Sequence, residues 1–145
     1  MELVDLAVDD PLWPAVLPVL QELRPDLDDA QLRAVYAEGW PQGYRFLAAL
    51  DEDGGCLGVT GWRLVATVFA GRKLYVDDLV TAASRRSEGV GQALLAELEQ
   101  RARAAGCSVL DLDSGVQRFD AHRFYLRERL HISSHHFTKR LADRG

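Results

Sequence analysis

The chain is short of cysteine, of long apolar runs and of positive charge, and each shortage closes off a class of protein. Cys56 and Cys107 are the only two cysteines in 145 residues, too few and too far apart for a disulfide framework or a cysteine-based zinc site. They read as two reduced thiols of a core. No uninterrupted apolar stretch approaches the ~20 residues that cross a bilayer, and Glu2, Asp5, Asp9 and Asp10 interrupt any apolar leader. The expected location is cytoplasmic. Seventeen basic residues against 22 acidic ones give a formal charge of −5, which disfavours a sequence-independent grip on nucleic acid. The run Gly-x-x-x-x-Gly-Lys-Ser/Thr of a Walker A loop is missing, as is a three-glycine dinucleotide fingerprint in an early βαβ unit. What remains is an ordinary globular composition, 48% hydrophobic and 27% charged, at a length that suits one domain (residues 1–145) with a substantial core.

Periodicity supplies the elements. Residues 2–8 alternate as a first strand. Asp10-Pro11 reads as a cap followed by proline at the first helical position; Leu12, Val16, Leu17, Leu20 and Leu23 share a face, and Arg24-Pro25 ends that helix. Asp28 with Gln31 three residues on predicts a capping box, opening a helix that carries Leu32, Val35 and Tyr36 and stops near Gly39. The period then changes to two. Residues 44–50, 56–69 and 73–81 are expected strands of an antiparallel meander, with Asp51-Glu52-Asp53-Gly54-Gly55 as the first hairpin turn. Residues 89–105 form the clearest helix, with Val90, Leu94, Leu95, Leu98, Ala102 and Ala105 as its apolar stripe and Gly106 as its stop. A short strand at 108–113 completes a right-handed βαβ crossover. A helix at 119–129 and a terminal strand or hairpin at 132–141 follow. The fold class is mixed α/β, antiparallel strands first and one parallel crossover.

The most informative residues lie inside that crossover. Arg86-Ser87-Glu88-Gly89-Val90-Gly91 joins the strand at 74–81 to the helix that continues through Gln92. The first N–H groups of a helix have no internal partner, and the helix dipole adds partial positive charge. Gly89 and Gly91 let an anion approach the main chain, and Arg86 adds a cation. Arg-x-x-Gly-x-Gly resembles motif A of the GNAT superfamily of acyl-CoA-dependent N-acetyltransferases, and Ala121-His122-Arg123-Phe124-Tyr125 resembles that family's later Ala-x-x-Phe-Tyr helix. The resemblance spans residues 44–141. Ala83 stands where the family commonly has proline, and Arg129-Leu130 where it often has glycine and an aromatic. Residues 11–40, on the acceptor side, match no substrate-defining pattern.

The resemblance implies a GNAT-type fold, acetyl-CoA as co-substrate, and transfer of acetyl to a primary amine of a small molecule or peptide by direct attack in a ternary complex. It places the coenzyme pyrophosphate on Arg86, Ser87, Glu88, Gly89, Val90, Gly91 and Gln92, and pantetheine along the main chain of Leu79, Val80 and Thr81. It gives Tyr125 to the departing thiolate, with Phe124 beside it on the coenzyme's helix, chiefly as a packing residue. Acyl transfer passes through an oxyanion, expels a thiolate and needs a neutral amine; an N–H donor, a phenol and a base meet those needs, and positioning supplies much of the rate.

Asp77 and Asp78 are the candidate bases, because aspartate is disfavoured in the middle of an apolar strand. Adjacent strand residues point to opposite faces, so one of the two is expected to face the cleft, with Asp78 preferred. A second reading stays open, in which one is exposed and the other belongs to a β-bulge. His131, His135 and His136 lack a ligand pattern, so no metal is expected. A homodimer built on the C-terminal strands fits the resemblance, and the negative charge favours a cationic acceptor. The alternative function is a non-catalytic acyl-CoA-binding sensor or interaction module.

Overall fold

Five strands form one mixed sheet in the order β1-β2-β3-β4-β5. In the computed structural model, which describes residues 1–143, β1 is Glu2–Leu6, α1 Trp13–Leu23, α2 Asp29–Gly39, β2 Arg45–Leu50, β3 Cys56–Thr67, β4 Gly71–Thr81, α3 Val90–Ala104, β5 Val109–Leu112 and α4 Phe119–Arg127. Pairings from β1 to β4 are antiparallel, and β4 pairs with β5 in parallel. The chain divides into two compact units, residues 1–112 and residues 113 onward. Among the described residues no helix is long and apolar enough to cross a membrane.

The first unit holds all five strands and the first three helices. Phe46 to Leu50 of β2 are buried at every position, so both faces of the sheet are covered. On one face Trp13, Val16, Leu20, Leu32 and Tyr36 pack with Phe46, Ala48 and Val59. Trp13 and Tyr36 meet edge to face at 5.6 Å, and Tyr36 meets Phe46 the same way at 5.0 Å. The Tyr36 hydroxyl donates to Leu6 O at 2.8 Å and accepts from Phe46 N at 3.1 Å, tying α2 to two strands. On the other face α3 buries Val90, Leu94, Leu95, Leu98 and Ala102 of the predicted stripe, while Ala105 lies just past the helix end and is half-buried. A methyl added at Gly58 would come within 2.8 Å of Val90 Cγ1, which shows how closely that helix approaches β3.

Helix ends follow local chemistry. Asp28 accepts from Gln31 N at 2.7 Å while Gln31 Oε1 accepts from Asp28 N at 2.9 Å, so the expected capping box is formed. At α1 the structure departs from expectation. Asp10 bonds to Leu12 N and Ala7 N, closing a local turn, and the helix begins only at Trp13 with Pro14 in its first turn. A short side chain that satisfies nearby amides in a turn competes with helix initiation at the same place.

The second unit consists of α4 and the chain that follows. The strand or hairpin expected at 132–141 is not formed: residues 131–141 carry no regular structure and are exposed. Ser133-Ser134-His135-His136 breaks the alternation that a strand needs to bury one face, and strand hydrogen bonds require a partner. Helix α4 ends where Arg129 takes a left-handed conformation, φ 69°, with Leu130 N donating to Tyr125 O at 3.0 Å. That is the position where the family often has glycine; the backbone bend is kept by a residue that pays steric strain for it.

Candidate functional site

Strand β4 carries the chemistry of the first unit. Its parallel ladder with β5 runs only from Lys73↔Val109 to Val76↔Leu112, whereas its antiparallel ladder with β3 continues to Thr81↔Gly58. Leu79, Val80 and Thr81 therefore have a strand partner on the β3 side alone. Within the unit, their opposite edge has no strand paired to it.

Past the end of β4 the chain makes a single 3-10 turn at Ala83–Arg85 and then the expected glycine turn. Ser87 at φ 69° and Gly89 at φ 78° are both left-handed, and Gly89 caps α3 with its carbonyl, which accepts from Ala93 N at 3.0 Å. A Cβ at Gly89 would meet nothing within 4 Å. The glycine is required by its backbone conformation, not by lack of room. The N–H groups of Val90, Gly91 and Gln92 precede the first intrahelical bond and point out of the helix start. Arg86 and Gln92 are exposed. Two outside carboxylates hold the approach to this turn: Glu22 accepts from Ala83 N at 2.9 Å, and Asp51 accepts from Arg85 Nη1 at 3.1 Å. Arg85 also donates to Glu88, from Nε at 2.8 Å and Nη2 at 3.1 Å, so its charge is occupied and Arg86 is the cation left facing solvent.

Asp77 and Asp78 share one face of the sheet, which corrects the expectation that they point opposite ways. The ladder slips between Gly61↔Asp78 and Trp62↔Val76, leaving Asp77 as the extra residue of a β-bulge. A bulge breaks the strict alternation of side chains. Arg63 donates to both oxygens of Asp77, at 2.9 and 3.1 Å, and its guanidinium lies 4.5 Å from the centre of the Tyr44 ring. The Tyr44 hydroxyl in turn donates a short hydrogen bond to Asp78 Oδ2. Arg24, from the end of α1, donates to Asp78 Oδ1 at 3.1 Å and to the main-chain oxygen of Asp77 at 3.3 Å. Asp78 is 7% exposed.

Electrostatics follow from this packing. Burial raises the Asp77 carboxyl, opposed by the Arg63 guanidinium and reinforced by the nearby Asp78. Burial and the Asp78 charge push the Tyr44 hydroxyl far above the usual phenol range, so it serves as a donor and not as a base. Gly61 makes the cluster possible: a Cβ there would lie 2.5 Å from Asp78 Oδ2 and 2.8 Å from Phe46 Cε1.

Arg24, Tyr44 and Arg63 were not legible as site residues in the sequence. Arg24 reads there only as a helix stop and Tyr44 as a strand start, and they meet Asp78 across 54 and 34 residues of chain. The aspartates themselves were the signal, since buried charge calls for partners.

In the second unit Tyr125 and Phe124 sit on α4, with ring centres 5.5 Å apart. Burial raises the Tyr125 hydroxyl above its ordinary value, opposed by Arg118. His122 faces Gly115 O at 2.8 Å, and His136 pairs with Asp113 at 3.1 Å. Among the described residues no group of three or more His, Cys, Asp or Glu is placed to hold a metal ion.

Comparison with known proteins gives one consistent result. The model of the acetyltransferase (GNAT) family matches residues 12–130. An uncharacterised N-acetyltransferase, YhdJ of Bacillus subtilis (strain 168), is 38% identical over 114 residues, 78% of this chain and 80% of its own. Aminoalkylphosphonate N-acetyltransferase of Salmonella typhimurium is 42% identical over 66 residues, 46% of this chain and 43% of its own. Among solved structures, a putative acetyltransferase from Agrobacterium tumefaciens superposes with a TM-score of 0.81 at 23% identity, over 97% of this chain and 99% of that one. At that identity the likeness is one of fold.

Proposed function

The chain belongs to the GNAT family of acetyltransferases and is an acyl-CoA-dependent N-acetyltransferase; on that premise we propose that it acetylates a primary amine of a small molecule or peptide by direct attack on acetyl-CoA in a ternary complex. In this reading residues 1–145 are a single acetyltransferase domain, and the family match across residues 12–130 supports it. The observation that carries it is the turn at residues 86–92, where an exposed Arg86 and a left-handed Gly89 lead into the helix start of α3, whose first N–H groups have no intrahelical partner.

In this reading Arg86, Ser87, Gly89, Val90, Gly91 and Gln92 hold the coenzyme pyrophosphate, with Glu88 in the same turn. The one-sided edge of Leu79, Val80 and Thr81 takes the pantetheine chain. The amine nitrogen attacks the thioester carbon, the C–N bond forms, and the C–S bond breaks with the electron pair leaving on sulfur. Tyr125, held protonated by burial, gives its proton to that thiolate, and Phe124 packs beside it. Asp78 and Asp77 orient the acceptor amine and accept its proton, directly or through water, Asp78 first. Arg24, Arg63 and Tyr44 hold those carboxylates in place through hydrogen bonds. The Salmonella relative's name gives an aminoalkylphosphonate as its acceptor; a small amine of that kind fits the same assignment.

The test is thiol release from acetyl-CoA across a panel of small amines and amino-terminal peptides. Turnover with at least one acceptor, lost in Tyr125→Phe and in Asp78→Asn, supports the assignment. Turnover untouched by either substitution contradicts it.

A further inference from the structure

A carboxylate in the middle of an anion cradle needs an explanation. Glu88 lies between Ser87 and Gly89, within the turn whose open N–H groups would receive phosphate, and an unpaired negative charge there would repel it. Its two oxygens are both taken by Arg85, at 2.8 and 3.1 Å. Arg85 is held from the other side by Asp51 at 3.1 Å. Asp51 is itself fixed by the β2–β3 turn, accepting from Gly55 N at 2.8 Å and Asp53 N at 2.9 Å. The guanidinium is thus not a spare cation beside Arg86. It is the shared counter-ion of two carboxylates, one on a rigid hairpin and one inside the cradle.

We propose that Arg85 is a positioning residue for coenzyme binding, which neutralises Glu88 and anchors the cradle turn to the β2–β3 hairpin, while of the two arginines only Arg86 meets the phosphates. Without Arg85 two negative charges, Asp51 and Glu88, stand uncompensated at the rim, and the turn loses its outer tether. The raised Arg85 and lowered Glu88 proton affinities follow from the same hydrogen bonds. This inference rests on the cradle reading given above.

A double-mutant cycle on coenzyme A affinity tests it. Arg85→Met is expected to weaken binding on the order of tenfold, and rising salt shrinks that deficit. Glu88→Gln, which removes the repelling charge without a new one, binds at least as tightly as wild type. The Arg85→Met, Glu88→Gln pair recovers to within about threefold of wild type, a non-additivity that a mere strut would not give. A pair as weak as Arg85→Met alone would show that Arg85 contacts phosphate or only braces the loop, and would overturn the inference. So would a loss of affinity in Glu88→Gln, which leaves the hairpin anchor intact. If wild type binds and Arg86→Glu does not, the cradle reading stands whatever Arg85 does. If Arg86→Glu binds like wild type, the cradle reading itself fails.

Discussion

Tyr36 shows how one buried hydroxyl links pH to stability. Its pKa is pushed from 10.0 to about 12, mainly by burial. Between those values the unfolded chain releases this proton while the native state keeps it, so stability falls as pH rises. The contribution is intact below pH 10 and is lost as pH climbs through about 12. Denaturant melts across that window should slope downward in wild type and less so in Tyr36→Phe. The same substitution should cost about 1–3 kcal/mol at neutral pH, because Leu6 O and Phe46 N lose their buried partner. Gly61→Ala is the sharpest single-atom probe of the Asp77–Asp78 cluster, the proposed amine site. Its methyl must displace Asp78 or the Phe46 and Tyr44 rings, at about 1–3 kcal/mol for overpacking, so thermal melts and turnover should both fall. At this scale the sequence spoke clearly about residue type and poorly about partners. Two aspartates in an apolar strand announced a site, but the bulge that turns both to one face depends on register with β3, which no local pattern encodes.

Helix α3 buries an apolar stripe and opens on the turn proposed to hold the coenzyme phosphates. Leu94 is fully buried beneath it, and Leu94→Ala should destabilise the protein by about 2–5 kcal/mol in chemical denaturation, through lost transfer energy and a residual cavity. The end of α4 offers the opposite case. Arg129 holds a left-handed backbone at φ 69°, so Arg129→Gly should stabilise by up to about 1 kcal/mol, read as a rise in melting temperature without loss of turnover. Elements with strong local chemistry were legible: the α3 stripe, the Asp28–Gln31 box and the Asp51–Gly55 turn all follow from side-chain period or capping. The start of α1 was not, because Asp10 serves equally well in a turn. The expected last strand was not, because pairing depends on a partner and residues 133–136 carry no apolar face.

On the scale of the whole molecule, a chain of net charge −5 that binds a polyphosphate must concentrate its cationic and dipolar groups in one place. In the proposed reading the turn at 86–92 does this with an exposed Arg86, a helix start and a locally cancelled Arg85–Glu88 pair. Global charge therefore says little about this site, whereas the order of strand, turn and helix says a great deal. The family match extends across residues 12–130, well beyond that turn. The most direct test of the account is calorimetric titration of the protein with acetyl-CoA, beside the Arg86→Glu, Gly91→Glu double variant. Micromolar-range binding to wild type that disappears in a variant with an unchanged circular dichroism spectrum is the predicted result. Equal binding by both proteins, or none by wild type, would contradict it.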